Sequence, residues 1–227
     1  MISFKGCHFP KGVIEYAVFF YVRYPVSYRD LEEIMQERGV DIDHATLNRW
    51  VVRYSPLIAA EAKARKRPVS PSWRMDETYV KVRDKWMYLY RAIDKHADTI
   101  DFMLSQTRDE AAANSFFVTA IASNDFPEKV VMDKSGANRA GLTNVNIYLM
   151  LIGCWWSFIV ILQVKYLNNI IEQDHRFIKR LTRQMGFKAF HSAGAMLDGI
   201  ETAHMIRKGQ FGQEAIPAHR QFLALEG

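Results

Sequence analysis

The sequence predicts two parts: a small all-α helix-turn-helix domain, then an α/β domain in which helices flank a mixed sheet. Three observations point there. Residues 73–106 read as three consecutive strands joined by short polar turns, and the segments that follow alternate helix, strand, helix, strand, helix, the order that places helices on the faces of a sheet. Residues 61–72 (EAKARKRPVSPS) are basic, then rich in Pro and Ser, and show no apolar face, so they divide the chain. Apolar residues are 49% of the 227, enough for a real core and too many for a disordered chain.

The N-terminal elements follow from local signals. Val13–Tyr24 is apolar and aromatic enough for a buried helix, and Pro25 ends it. Ser27 stands at an N-cap position with Asp30 three residues on, a variant of the capping box. Leu31, Ile34 and Met35 have helical spacing, and Gly39 is the stop. Asp43 caps a third helix carrying Ala45, Leu47, Trp50 and Val51. Helix, Gly-containing turn and helix make the helix-turn-helix pattern, whose second helix meets base edges. It would present His44, Thr46, Asn48, Arg49 and Arg53, while Lys63, Arg65, Lys66 and Arg67 of the linker suit phosphates. A three-helix bundle with a solvated polar face fits the same spacing. The expected boundaries are 1–60 for this domain, 61–72 for the linker, 73–210 for the α/β domain and 211–227 for a C-terminal tail.

In the second part, Trp73–Val82, Trp86–Ile93 and Thr99–Gln106 are the strands of an antiparallel meander. Asp109–Ser123 is a helix, Glu128–Asp133 a short strand, Asn138–Leu151 a helix, Ser157–Val164 a strand and Asn168–Gln184 a helix. Ile147–Leu162 (IYLMLIGCWWSFIVIL) carries no charge. It is shorter than the ~20 residues of a spanning helix, is punctuated by Gly153 and Ser157, and turns β-branched, so it reads as a buried helix passing into a buried strand rather than a membrane segment.

Charge and cysteine content bound the function. There are 30 Lys and Arg against 25 Asp and Glu, a net +5, which permits a nucleic-acid partner without requiring one. Cys7 and Cys154 are the only cysteines, so neither a disulfide framework nor a zinc ribbon is possible. No apolar signal segment is visible in residues 1–12, which fits a reducing cytoplasm.

Three acids sit where chemistry is usually placed. Asp76 is on the first strand, Asp133 ends an apolar strand before the loop Lys134-Ser135-Gly136, and Glu172 lies in the first turns of a long helix. Converging carboxylates suit Mg²⁺, and two such ions about 3.5–4 Å apart suit a phosphoryl displacement. By spacing alone Asp94, Asp98, Asp101 and Asp174 compete with them. The Glu172 helix adds cations at helical intervals, with Arg176 (or His175) and Lys179 on one face and Arg180, Arg183 and the upstream Lys165 extending it. Phe187, Phe190 and His191 suit base stacking or core packing equally.

These segments resemble the DDE transposases of bacterial insertion sequences, specifically the insertion-sequence-6 family. The matching stretches are Trp73–Tyr79 (WRMDETY), Lys85–Asp94 (KWMYLYRAID), Asp133–Asn138 (DKSGAN), Lys165–Arg176 (KYLNNIIEQDHR) continuing through Lys179-Arg180, Gly186–Phe190 (GFKAF) and His204–Gly209 (HMIRKG). The interval from Asp133 to Glu172 is longer than the family's usual one, and one residue is missing before Gly186. The resemblance implies an RNase H-like catalytic domain, Asp76, Asp133 and Glu172 as a triad holding two Mg²⁺ or Mn²⁺ ions, and Lys179 near DNA. It implies cleavage at terminal inverted repeats, joining of the freed 3′ ends to target double-stranded DNA by a replicative route, and a homo-oligomer on DNA in the bacterial nucleoid, with no membrane partner. The alternative is a catalytically degenerate copy that binds the repeats as a regulator.

Overall fold

The computed structural model describes residues 2–4, 8–212 and 215–225, with Lys165 described by its backbone alone; Cys7 lies outside these residues. Two units emerge, one from residues 1–67 with 177–227 and the other from residues 68–176.

The first unit is helical. Helix α1 (Lys11–Arg23) ends before Pro25, and α2 (Tyr28–Glu37) starts at a true capping box: the Asp30 N–H donates to Ser27 Oγ at 3.1 Å and the Ser27 N–H to Asp30 Oδ2 at 2.8 Å. Gly39, at φ +78°, turns the chain toward α3 (His44–Arg65). There Asp43 accepts from the Thr46 N–H at 2.9 Å, satisfying a donor that the first turn leaves open. The Thr46 hydroxyl and then its N–H hold the Asp43 carboxyl below the usual carboxylate range. Helix α7 (Phe190–Arg207) packs on α1 and α3. A Cβ on Gly199 would stand 2.6 Å from Val22 Cγ1 and 2.7 Å from Ser55 Oγ, so only glycine lets the helices come this close.

Two expectations change here. Residues 61–65 continue α3 as helix, with Ala59 and Ala62 buried; alanines supplied the apolar stripe that the charges between them obscured. The segment after 210 is more than a tail, because α8 (Ala218–Ala224) buries Phe222 against Phe19, with ring centroids 5.3 Å apart.

The second unit is built on one sheet. Strands β1 (Ser72–Val82), β2 (Lys85–Asp94) and β3 (Thr99–Ser105) form the antiparallel meander. Helix α4 (Glu110–Asn124) leads to β4 (Lys129–Met132), α5 (Gly136–Leu151) to β5 (Val160–Gln163), and α6 (Asn169–Thr182) follows. Strand order is β3-β2-β1-β4-β5, with β4 parallel to both β1 and β5, the RNase H-like arrangement. Trp73, Met75 and Tyr90 of the sheet pack with Phe116 and Phe117 of α4 and Leu142 of α5. Helices α4 and α5 touch closely: a Cβ on Gly141 would lie 2.7 Å from the Ala113 Cβ and from the Asn114 backbone N. Gly141→Ala therefore destabilises the protein by about 2 kcal/mol, although alanine is the better helix former, because backbone cannot move aside as a side chain can. Gly194, in α7 with nothing within 4 Å, gives the opposite sign, and Gly194→Ala stabilises by about 0.5–1 kcal/mol. Urea denaturation of the two variants beside the parent measures both.

The uncharged run is not buried as expected. Helix α5 does end at Leu151 and β5 does follow, but Leu151 is 80% exposed and Trp155 72%. Within the run only Leu149 of α5 and Ile159, just before β5, are buried; β5 is an edge strand, and most of the other apolar side chains lie exposed along this rim.

Candidate functional site

Parallel pairing brings the two aspartates together. Arg74 of β1 pairs with Val131 of β4, so Asp76 and Asp133, each two residues further on, emerge side by side. Among the described residues, Asp76, Glu77 and Asp133 each place a carboxylate oxygen within 4.8 Å of the others. Their partners differ. Glu77 is committed, its side chain 3% exposed, with Oε1 accepting from Arg108 Nε at 3.0 Å and Oε2 from Asn138 Nδ2 at 2.9 Å. Asp133 accepts the Ser135 N–H at 2.9 Å and lies 3.6 Å from Arg108 Nη2, with its side chain 40% exposed. The Glu77 hydrogen bond, above all, raises the Arg108 pKa and keeps that guanidinium charged beside the cluster.

Asp76 is held from the other side of the sheet. Arg91, its register partner on β2, is fully buried and donates from Nη2 to Asp174 Oδ2 at 2.7 Å. Its Nη1 lies 3.1 Å from His175 Nδ1, and His175 Nε2 lies 3.2 Å from Asp76 Oδ2. A guanidinium only donates, so Nδ1 must accept and the imidazole proton sits on Nε2, where it donates to Asp76.

Glu172 is not in the cluster. It is exposed at the start of α6 and makes no hydrogen bond or ion pair among the described residues. Its surroundings nevertheless fix where that turn lies. Arg74 Nε donates to the Leu167 carbonyl at 3.2 Å, Asn168 Nδ2 donates to the Met75 carbonyl at 3.3 Å, and His175 reaches Asp76. Glu172 is four residues after Asn168 and three before His175, on the strip of α6 that docks against β1 around Met75 and Asp76. His175 itself is buried and leaves the exposed face to Arg176 and Lys179.

Residues 70–210 match the family described as DDE domain. The chain belongs to the DDE transposases of the insertion-sequence-6 family. Two relatives from Staphylococcus aureus accompany that match. The transposase for insertion sequence-like element IS431mec is 38% identical over 209 residues, covering 92% of this chain and 90% of the relative. The transposase for insertion sequence element IS257 in transposon Tn4003 is 37% identical with the same coverage. Among solved structures, the catalytic core domain of HTLV-2 integrase in complex with magnesium aligns at 13% identity and a TM-score of 0.39, covering 70% of this chain and 85% of that one.

The helical unit of the transposase carries the expected DNA-facing residues in varied states. Thr46 is tied to Asp43 and accepts from Arg49; Arg49 and Arg53 are exposed, and Arg53 lies over the Tyr54 ring. Asn48 lines an open cavity of about 380 Å³ with His44 and Lys188, and His44 Nδ1 is 2.9 Å from Glu32 Oε2. Lys179, Arg180 and Arg183 are exposed, Phe187 is core, Phe190 is half-buried and His191 exposed, and the side chain of Lys165 lies outside the described part. The sequence did not single out Arg23 and Arg207. With Arg180 they place three guanidiniums 5.3–5.9 Å from the Phe177 ring centroid, and none has a carboxylate partner among the described residues. Burial, then Arg207 and Arg180, push the Arg23 pKa down.

Proposed function

We propose that this transposase cuts double-stranded DNA at the terminal inverted repeats of its element and joins the freed 3′ ends to a target, with Asp76, Asp133 and Glu172 holding Mg²⁺ or Mn²⁺. The observation that carries the reading is the meeting of Asp76 and Asp133 at adjacent parallel strand positions, with a carboxylate oxygen of each within 4.8 Å of the other. An all-carboxylate donor set suits a hard divalent cation. Two ions, when bound, stabilise the entering and leaving oxygens of a phosphodiester displacement.

The chain's own groups prepare that site. His175 donates to Asp76 and fixes the carboxylate, while the Nε2 proton is held in place by Arg91 behind it. Arg108 and Asn138 occupy both oxygens of Glu77, whereas the carboxylate of Glu172, on the docking strip of α6, has no partner among the described residues. Glu172 is thus the third ligand and Glu77 a neighbour neutralised by Arg108. Arg176, Lys179 and Arg180 on α6, with Arg183 after it and Lys165 before it, take DNA phosphates, and Arg23 and Arg207 add charge that no carboxylate among the described residues pairs with. Thr46, Asn48, Arg49 and Arg53 of α3 read the repeats, and the protein acts as a homo-oligomer on DNA in the bacterial cytoplasm. No helix among the described residues is long and apolar enough to cross a membrane.

The test uses labelled duplexes ending in the terminal sequences of the element that encodes the chain, incubated with a target plasmid and Mg²⁺. The parent protein nicks and joins them, and Asp133→Asn lowers both products on the order of 10³-fold while still binding the duplex. Binding without products in the parent would make the chain a regulator. Equal products from parent and Asp133→Asn would remove the carboxylate site.

A further inference from the structure

We propose that the exposed apolar projection formed by residues 147–158 is the surface on which a second copy of this chain docks. The segment is built. Helix α5 ends in a Schellman motif, with the Cys154 N–H donating to the Leu149 carbonyl at 2.8 Å, the Gly153 N–H to the Met150 carbonyl at 3.1 Å, and Gly153 at φ +78°. A 3₁₀ turn (Trp155–Ser157) follows, and its two indoles meet edge to face at 6.1 Å. The neck is clasped by Asn146, 3% exposed, whose amide donates to the Ile159 carbonyl at 2.9 Å and accepts the Ile159 N–H at 3.0 Å.

What this projection offers solvent is apolar. Tyr148, Met150, Leu151, Trp155, Trp156 and Phe158 are each more than half exposed. At those exposures the six side chains together exceed the about 300–600 Å² of the largest patch on an ordinary monomer and are of the order of the about 800 Å² per partner of a standard interface. Two copies meeting here bury enough for a stable dimer.

Charge selects the occupant. Residues 140–164 contain no Lys, Arg, Asp or Glu. The projection itself offers DNA phosphates no cation and an anionic lipid surface no basic residue, although exposed Lys129 stands beside Val160 at the start of β5. A two-fold interface asks one patch to complement itself, and an uncharged apolar patch does so with no like-charge penalty. Strand β5, at the sheet edge beside the projection, adds backbone groups with no strand partner on their outer side among the described residues. None of these residues belongs to the acid cluster, so assembly and chemistry are separable.

Sedimentation velocity of the full chain without DNA, in about 0.5 M salt to screen charge contacts, tests this. The parent sediments as a dimer at micromolar concentration. Leu151→Glu with Trp155→Glu weakens its dissociation constant about 100-fold or more, with far-UV dichroism and melting temperature unchanged because both side chains are exposed in the monomer. Trp155→Phe keeps the dimer. A monomeric parent, or a dimer untouched by the double substitution, overturns the assignment. So does flotation of the parent with phosphatidylglycerol vesicles that the double substitution abolishes, which would give the projection to a lipid surface.

Discussion

Glu172→Gln yields a transposase that folds as the parent does and has lost Mg²⁺-dependent joining on the order of 10³-fold, whereas Glu77→Gln loses stability first. The contrast follows from what each carboxylate already does. Glu172 is exposed and has no partner among the described residues, so an isosteric amide removes a ligand and little else; its effect on stability stays within about 0.5 kcal/mol. Glu77 accepts from Arg108 at 3.0 Å and from Asn138 at 2.9 Å in a nearly closed environment. A glutamine keeps one acceptor oxygen but turns its NH2 toward the second donor and loses the charge opposite Arg108, so the substitution costs about 1–3 kcal/mol. Product yield and denaturation midpoint, measured on both variants, separate the roles. An active Glu172→Gln beside an inactive but stable Glu77→Gln would transfer the third ligand to β1.

Much of this was legible because it is local. The Ser27–Asp30 box, the Asp43 cap and the turns between β1, β2 and β3 are decided within a few residues, and the helix starts and strand bounds they set fall within a residue or two of expectation. The approach of Asp76 and Asp133 depends on β4 pairing in parallel with β1, which spacing does not reveal and the family resemblance did. Glu77 escaped notice because neighbours on a strand point to opposite faces; it reaches the cluster because β4 ends at Met132 beside it, which brings an oxygen of Asp133 within 4.8 Å of one of its own. Arg91 and Arg108 had no signature, and Asp174 stood out only as one competing acid among several, since a charge worth burying looks in sequence like any solvated charge. The run from Ile147 to Leu162 misled for a related reason: hydropathy records that a surface must be covered and says nothing about whether the same chain covers it.

The second large effect concerns the buried chain of polar groups behind Asp76. Arg91→Leu destabilises the protein by about 3–5 kcal/mol, because it leaves the Asp174 carboxylate, 6% exposed, without the guanidinium that pairs with it. Equilibrium denaturation measures this directly. Loss of stability alone would not show that the chain orients Asp76, so the informative substitutions are at His175. A Gln there can accept from Arg91 through Oε1 and donate to Asp76 through Nε2, repeating both contacts of the neutral imidazole, whereas Leu fills the space and makes neither. His175→Gln therefore keeps Mn²⁺ affinity within a few-fold of the parent, while His175→Leu weakens it about 10–100-fold, the usual cost of removing a group that orients a metal ligand. Calorimetric titration of Mn²⁺ into the folded variants, without DNA, reads this apart from turnover. If Leu binds as well as Gln while Asp76→Asn does not bind, the metal site stands and His175 only packs. If Asp76→Asn binds like the parent, Asp76 is not a ligand and the network behind it serves the fold alone.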